Sequence, residues 1–171
     1  MTKIELLPIV DEQGNILGSA PRSECHARRL LHPVVHLHLV DAQGNILLQK
    51  RSETKLIQPG KWDTSVGGHV DFGELISVAL RREASEEIGL DVVDAVPIAC
   101  YVWDCPAERE LVYTHISRAP RGYTPRLEKG EADDLQFWSI KSIEPRLADA
   151  VFTPNFVYEF THFLKPYLGD K

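Results

Sequence analysis

Apolar runs meet short polar turns twice in the same way along this chain, at Ile9-Val10-Asp11-Glu12-Gln13-Gly14-Asn15-Ile16-Leu17 and at Leu39-Val40-Asp41-Ala42-Gln43-Gly44-Asn45-Ile46-Leu47. Each predicts a β-hairpin in which the glycine, Gly14 or Gly44, supplies a positive φ. Two copies of a common turn do not make a repeat architecture. Between them, Ser23 to Leu31 predicts a short helix capped by Ser23. Val35, Leu37 and Leu39 then alternate with His36 and His38, the period of a strand. Pro59-Gly60 is a turn, and Trp62 to Val66 predicts another short strand. Glu74 to about Ile88 has no Pro or Gly and predicts a helix ended by Gly89 in a left-handed conformation. Strands are expected at Ile98 to Trp103, Glu110 to Ile116 and Leu135 to Ile140. The stretch 119–134 is rich in Pro, Gly and charge, and predicts a loop that helps shape a site. Thr153-Pro154 opens a last helix whose Phe156, Phe160, Phe163 and Leu164 follow helical spacing toward a core.

Length and composition fit this picture and narrow the partners. The chain has 171 residues, is 43% hydrophobic and 26% charged, and shows no linker that would divide it. A single α/β domain over 1–171 is expected, with 1–32 forming a hairpin and short helix packed on it. The formal net charge of −6 suits nucleic acid polymers poorly, since these are gripped through a basic face. A small anionic substrate would need local Lys and Arg, or bound cations, to offset the protein's own field. Cys25, Cys100 and Cys105 have no metal-ligand spacing, which points to reduced thiols and a cytoplasmic setting. Neither a signal peptide nor a membrane span is expected.

The chemistry lies in Gly68-His69-Val70-Asp71-Phe72-Gly73-Glu74 and, seven residues on, Arg82-Glu83-Ala84-Ser85-Glu86-Glu87-Ile88-Gly89-Leu90. Glu83, Glu86 and Glu87 fall at i, i+3 and i+4, so one helix face presents three carboxylates that repel one another. A solvated acidic face is the ordinary explanation for such a run. A hard divalent cation, Mg²⁺ or Mn²⁺, is the alternative that resolves the repulsion. Gly68 would let the backbone approach the metal or a phosphate. Arg82, at i, i+4 to Glu86, would anchor the helix or orient a carboxylate.

This segment resembles the Nudix box: Gly, five residues, Glu, seven residues, Arg-Glu, an aliphatic, any residue, Glu-Glu, any residue, Gly, aliphatic. Gly68, Glu74, Arg82, Glu83, Glu86, Glu87 and Gly89 occupy its fixed positions, and Ala84 is a small version of its aliphatic. At about 7% per position, a chance match is on the order of 10⁻⁶. The resemblance implies a Nudix α/β/α sandwich with a mixed β-sheet and, here, an N-terminal β-hairpin extension. It further implies metal ligation by Glu83, Glu86, Glu87 and a backbone carbonyl near Gly67 or Gly68. Glu74 and Gly89 would be structural. The implied reaction is attack of metal-activated water on a diphosphate, with Arg82 among the catalytic groups. The general base stays open among Glu86, Glu87 and the loop residue Glu131.

From Val10 to about Phe160 the chain also resembles the isopentenyl-diphosphate isomerase branch of that family. Leu47-Leu48-Gln49-Lys50-Arg51, Pro59-Gly60-Lys61-Trp62, Ser65-Val66-Gly67-Gly68-His69 and Phe152-Thr153-Pro154-Asn155-Phe156 carry the likeness. It implies diphosphate binding by Arg51 and Lys55. It also implies a second metal site of His32, His69, Glu108 and Glu110, with Cys25 at the place of the remaining ligand and His26 beside it. Should that site be absent, His32 and His69 are structural. Two departures point to hydrolysis. Gly67 stands where the isomerases carry a catalytic cysteine, and the Arg82-Glu83 and Glu86-Glu87 pairs are complete where the isomerase box is degenerate. The expected substrate is a small-molecule diphosphate, either a nucleoside diphosphate joined to another group or an isoprenoid diphosphate. A monomer or homodimer would act on it. Isomerization and a non-catalytic binding module are the alternatives. Specificity is expected from the N-terminal hairpin, the 119–134 loop, Trp62, Tyr101, Trp103 and Phe156.

Overall fold

The computed structural model describes residues 5–127 and 132–169. In chain order the elements are β1 (Leu6–Val10), β2 (Ile16–Pro21), α1 (Arg22–Arg28), β3 (His32–Val40), β4 (Ile46–Arg51), β5 (Trp62–Asp63) and β6 (Val66–His69). There follow α2 (Ile76–Ile88), β7 (Val96–Asp104), β8 (Arg109–Arg118), β9 (Ala132–Trp138), α3 (Ile140–Ile143), α4 (Pro154–Glu159) and α5 (Lys165–Gly169). A π-helical turn, Phe160–Leu164, joins the last two helices.

Strand β3 is the spine of a seven-stranded mixed sheet ordered β5-β4-β3-β8-β7. It runs parallel to β8, from His32 opposite Glu110 to Val40 opposite Arg118. On its other side it meets β4 only at Val40–Ile46, and β6 fills the gap, with Val35 opposite Gly68 and His36 opposite Gly67. Ser65 seals the fork between β3 and β4: its hydroxyl donates to the Leu47 carbonyl at 2.6 Å and accepts from the Leu39 amide at 2.8 Å. Strand β9 pairs along β4, and β1 with β2 forms a separate two-stranded sheet.

Period-2 alternation sorts the sheet's side chains into two cores. Val35, Leu37, Leu39, Leu47 and Val66 face Ala79, Leu80, Ala84 and Ile88 of α2. Val40, Ile46, Leu48 and Ile116 face Ile143, Phe152, Phe156, Phe160 and Leu164. The result is an α/β/α sandwich, as the sequence led us to expect. Thr153 caps α4 by accepting from the Phe156 amide, and Gly89 ends α2 at φ 65°. The N-terminal extension joins this body through Leu7, Ala20 and Cys25 in its own cluster and Val10 with Leu31 and Leu111 in another.

Local boundaries differ from the sequence expectations for physical reasons. Pro21 occupies the cap position of α1, Ser23 lies inside the helix, and no side chain caps it. Helix α2 starts at Ile76 because Asp71 to Glu74 closes a turn, the Asp71 amide donating to the Glu74 carboxylate at 3.0 Å. The expected strand Trp62 to Val66 is split at Thr64-Ser65, where the chain crosses from β5 to β6. Strand β9 begins at Ala132, so the end of the expected loop belongs to the sheet. Ile140 is helical, because Ser139 caps α3.

The largest surprise is the second face of β3. His36 and His38, which alternate with the apolar residues, point into the core beneath α4. There Glu159, 0% exposed, accepts from His36 Nδ1 at 3.1 Å, His38 Nε2 at 2.9 Å, the Tyr101 hydroxyl at 2.9 Å and the Thr114 hydroxyl. A carboxylate buried without partners would cost several kcal/mol, and these four donors offset that cost. The Glu159 charge in turn holds His36 up at about 9, against the burial that disfavours its cation. A histidine raised in the folded state stabilises the fold fully below its unfolded pKa of about 6.5, and that contribution disappears as pH rises through about 9. The Tm difference between the native protein and a His36→Gln variant is therefore expected to be largest below pH 6.5 and to shrink toward pH 9 and beyond. Calorimetric scans across that range test it, and a pH-independent difference would contradict it.

The two hairpin glycines offer a second test. Both have positive φ, 82° at Gly14 and 83° at Gly44, so alanine at either costs about 1 kcal/mol. Only at Gly14 would the added methyl also meet a neighbour, the Tyr113 hydroxyl at 2.6 Å. Gly14→Ala should therefore lower the urea midpoint more than Gly44→Ala, and equal shifts would show that Tyr113 moves aside freely.

Candidate active site

Two chemically different clusters flank β6. On the α2 side, Gly68 leaves space for Glu83: a Cβ there would stand 2.0 Å from Glu83 Cδ and force that side chain to shift. Glu83 thus lies directly against the β6 backbone, and burial pushes its carboxyl up while the neighbouring Arg82 opposes that shift. Glu87 reaches the same strand, its Oε2 accepting from the Gly67 amide at 3.2 Å and from Gln49 Nε2 at 3.1 Å. Glu86, its side chain 61% exposed, sits 3.6 Å from Arg82 and points outward.

Arg82 organises this face. Its Nε and Nη2 donate to the two oxygens of Glu74, both at 2.9 Å, its Nη2 also donates to the His69 carbonyl at 3.0 Å, and its Nη1 donates to Glu83 at 2.7 Å. Its donors are directed into the protein, so the structure gives it an orienting place rather than a substrate-facing one. Glu74 ties the loop to the helix, and the Arg82 guanidinium holds its carboxyl below the usual range. Arg51 is likewise drawn inward, donating to Asp63 at 3.1 Å and to the Ile57 carbonyl at 3.1 Å. Lys55 lies in the turn after β4, its amide donating to the Ser52 carbonyl. Glu131 lies outside the described residues.

On the opposite side of β6, His26, His32 and His69 converge, with one ring nitrogen of each within 4.8 Å of the others. His26 Nε2 and His69 Nε2 are 3.2 Å apart. His32 Nδ1 donates to the Leu30 carbonyl at 2.7 Å, which leaves its buried Nε2 with a lone pair and no hydrogen-bond partner. Burial depresses all three imidazoles, that of His69 furthest, and keeps them neutral. Neutral rings oriented from behind and aimed at a common point fit a divalent cation. The Glu110 carboxylate stands 3.9 Å from His32 Nε2, and burial, reinforced by Glu108, pushes its pKa up to about 7. Glu108 belongs to the turn with Cys105 that precedes β8, not to the strand itself. Its carboxyl is also raised by burial.

Of the two candidates at the first histidine position, the structure brings in His26. Cys25 is buried in the extension, its thiol toward the Ala20 carbonyl. The helical register decides this, since adjacent residues point about 100° apart. Trp62 and Phe156, expected to help set specificity, are buried core residues packed on Trp138, Phe152 and Phe160. Tyr101 and Trp103 are half-buried against Tyr158. Sequence reading missed Gln49 and the group His36, His38, Thr114 and Glu159, to which Tyr101, expected only among the specificity aromatics, also belongs. Its only available sign was two histidines in a strand that could be buried on both faces.

Comparison with known proteins gives the family and the fold. The NUDIX domain model matches residues 30–160. A Nudix hydrolase of Yersinia pestis, described as uncharacterized, is 32% identical over 89% of this chain and 81% of its own length. An isopentenyl-diphosphate Delta-isomerase 2 of Photorhabdus laumondii is 39% identical over 85% of this chain and 84% of its own. Among solved structures, DR0079 from Deinococcus radiodurans superposes with a TM-score of 0.69 at 26% identity, covering 87% of this chain and 92% of that one. The MutT protein of Methanosarcina mazei, at 22% identity, shares the fold with a TM-score of 0.67 over 80% and 95%. A match that begins at β3 and runs through α4 takes in the whole sheet and both helical layers, and the chain belongs to the Nudix family.

Proposed function

We propose that this protein is a divalent-metal-dependent hydrolase that cleaves a diphosphate linkage in a small-molecule substrate. The observation that carries this is the seating of Glu83 and Glu87 against the Gly67-Gly68 backbone with Glu86 exposed beside them. Like charges at this spacing cost a helix a few tenths of a kcal/mol per pair. Three carboxylates and a backbone carbonyl make an oxygen-only set, which suits Mg²⁺ or Mn²⁺. Such a cation supplies an acidified water and charge neutralisation on the departing phosphate. Arg82 and Glu74 hold the carboxylates in place, and Glu86 has the exposure a base needs. Lys55, in the turn after β4, and Arg51, which would have to exchange Asp63 for phosphate oxygens, are the basic groups for the diphosphate.

Isomerization is the second reading, favoured by Glu110, an acid poised near neutrality on the histidine side of β6. Against it stands Gly67, which presents no thiol toward that face. One panel separates the two. With Mg²⁺, ³¹P NMR is expected to show cleavage of at least one of ADP-ribose, a dinucleotide, coenzyme A, a nucleoside triphosphate and isopentenyl or geranyl diphosphate. Glu87→Gln should abolish that cleavage while leaving the fold intact. Deuterium is not expected to enter isopentenyl diphosphate from D₂O. Exchange without cleavage would reverse the assignment.

The histidines suit a second, nitrogen-preferring ion held by His26, His32, His69 and Glu110. Titration with Co²⁺, followed by its d–d absorption, should reveal a site that His26→Ala weakens by at least about tenfold and Cys25→Ser leaves alone. The reverse pattern would return the ligand role to the cysteine.

A further inference from the structure

Beyond the metal sites, the group around Glu159 buries a carboxylate, a histidine and a threonine that neither β6 cluster uses. Four donors converge on this carboxylate from three strands, and the helix changes from α to π immediately after it. A brace between helix and sheet would need nothing more. His36 does more than brace. Its Nδ1 side is locked to Glu159, and its side chain is 12% exposed. Its other edge faces residue 67, where an ideal Cβ would stand 3.4 Å from Cδ2 and 3.5 Å from Nε2. Among the described residues Nε2 has no hydrogen-bond partner, although Nδ1, on the same ring, is fully engaged.

The surroundings of that edge are polar. The Thr64 hydroxyl lies 3.6 Å from the same Cβ position, and the Tyr101 hydroxyl is shared between Glu159 and the Asn155 side-chain carbonyl. Residue 67 carries no side chain, and the Cβ it lacks would sit in ordinary contact with the His36 ring, which keeps 12% exposure. A hydrocarbon chain laid here would desolvate an imidazole nitrogen and leave it unpaired, which is costly. A group bearing hydroxyls or other oxygens would complete it.

We propose that His36, held in position by Glu159, is a specificity residue that hydrogen-bonds an oxygen-bearing organic moiety attached to the diphosphate. The substrate is then a sugar- or nucleoside-bearing diphosphate and not an isoprenoid one. This rests on the diphosphohydrolase reading and narrows it. His36 touches the substrate, and Glu159 acts through it as a positioning residue. A carboxylate behind the ring fixes which nitrogen faces outward, in the way such partners orient functional histidines elsewhere.

The test is equilibrium binding of ADP-ribose, UDP-glucose, isopentenyl diphosphate and inorganic pyrophosphate by titration calorimetry. Ca²⁺ replaces Mg²⁺ so that the ligands stay intact. Native protein should bind a sugar-bearing ligand at least about tenfold more tightly than isopentenyl diphosphate or pyrophosphate. His36→Leu and Glu159→Gln should remove that preference, with the pyrophosphate Kd changed less than about twofold. His36→Gln keeps a polar tip and should retain part of it, which covers the case in which a Glu159 variant fails to fold. Equal affinity for all four ligands would overturn the proposal, as would tightest binding of isopentenyl diphosphate. Variants with lower Tm but the native ligand preference would reduce His36 to a brace. Binding with this preference but no turnover under Mg²⁺ would keep the specificity role and reject the hydrolase reading, so the two fail separately.

Discussion

Strand β6 runs so close to helix α2 that position 68 has no room for a side chain beside Glu83 as it stands, and the rest of the site depends on that approach. At 68 a methyl group would overlap the Glu83 carboxyl, and at 67 the exposed amide binds Glu87. The constraint is backbone against carboxylate. It brings acidic side chains within reach of main-chain groups that larger residues would push away. The helix can come this near because small Ala79 and Ala84 form part of its buried face. The same strand, antiparallel to the first half of β3, carries His69 across to the other side of the sheet edge. One short strand thereby separates an oxygen-donor cluster from a nitrogen-donor cluster.

The charge arrangement follows from that geometry. A chain with net charge −6 that concentrates carboxylates must neutralise them locally. Arg82 does this with two oxygens of Glu74 and one of Glu83, a forked geometry that lysine lacks. On the far side the solution is the opposite. Burial holds His26, His32 and His69 neutral and raises Glu110 toward neutrality, so that cluster is kept nearly uncharged until a cation or a proton enters. These two environments, a paired charged face and a desolvated neutral one, are suited to different work.

The relatives carry two kinds of name. A protein named as a Nudix hydrolase and one named as an isopentenyl-diphosphate isomerase lie at similar distance from this chain. Identity over the whole chain therefore does not separate the two chemistries. Locally, Gly67 offers no thiol on the histidine side, and α2 carries Glu83, Glu86 and Glu87 on one face. His36, buried beneath that missing side chain and backed by Glu159, gives the same region a polar lining.

The sequence by itself determined the local features. Glycines at 14, 44 and 89 mark positive φ, Thr153-Pro154 marks a helix start, and alternating Val35, Leu37 and Leu39 mark a strand, because each is a property of a few neighbouring residues. The spacing of Glu83, Glu86 and Glu87 placed three carboxylates on one helix face for the same reason. Tertiary structure decided what depends on residues far apart in the chain. It buried the second face of β3, so that His36 and His38 meet a glutamate more than a hundred positions away. It selected His26 over Cys25 by helical register, put Arg82 behind the glutamates rather than in front of them, and withdrew Trp62 and Phe156 into the core. A strand pattern tells which residues share a face, but whether that face meets solvent or a helix is settled only when the helix arrives.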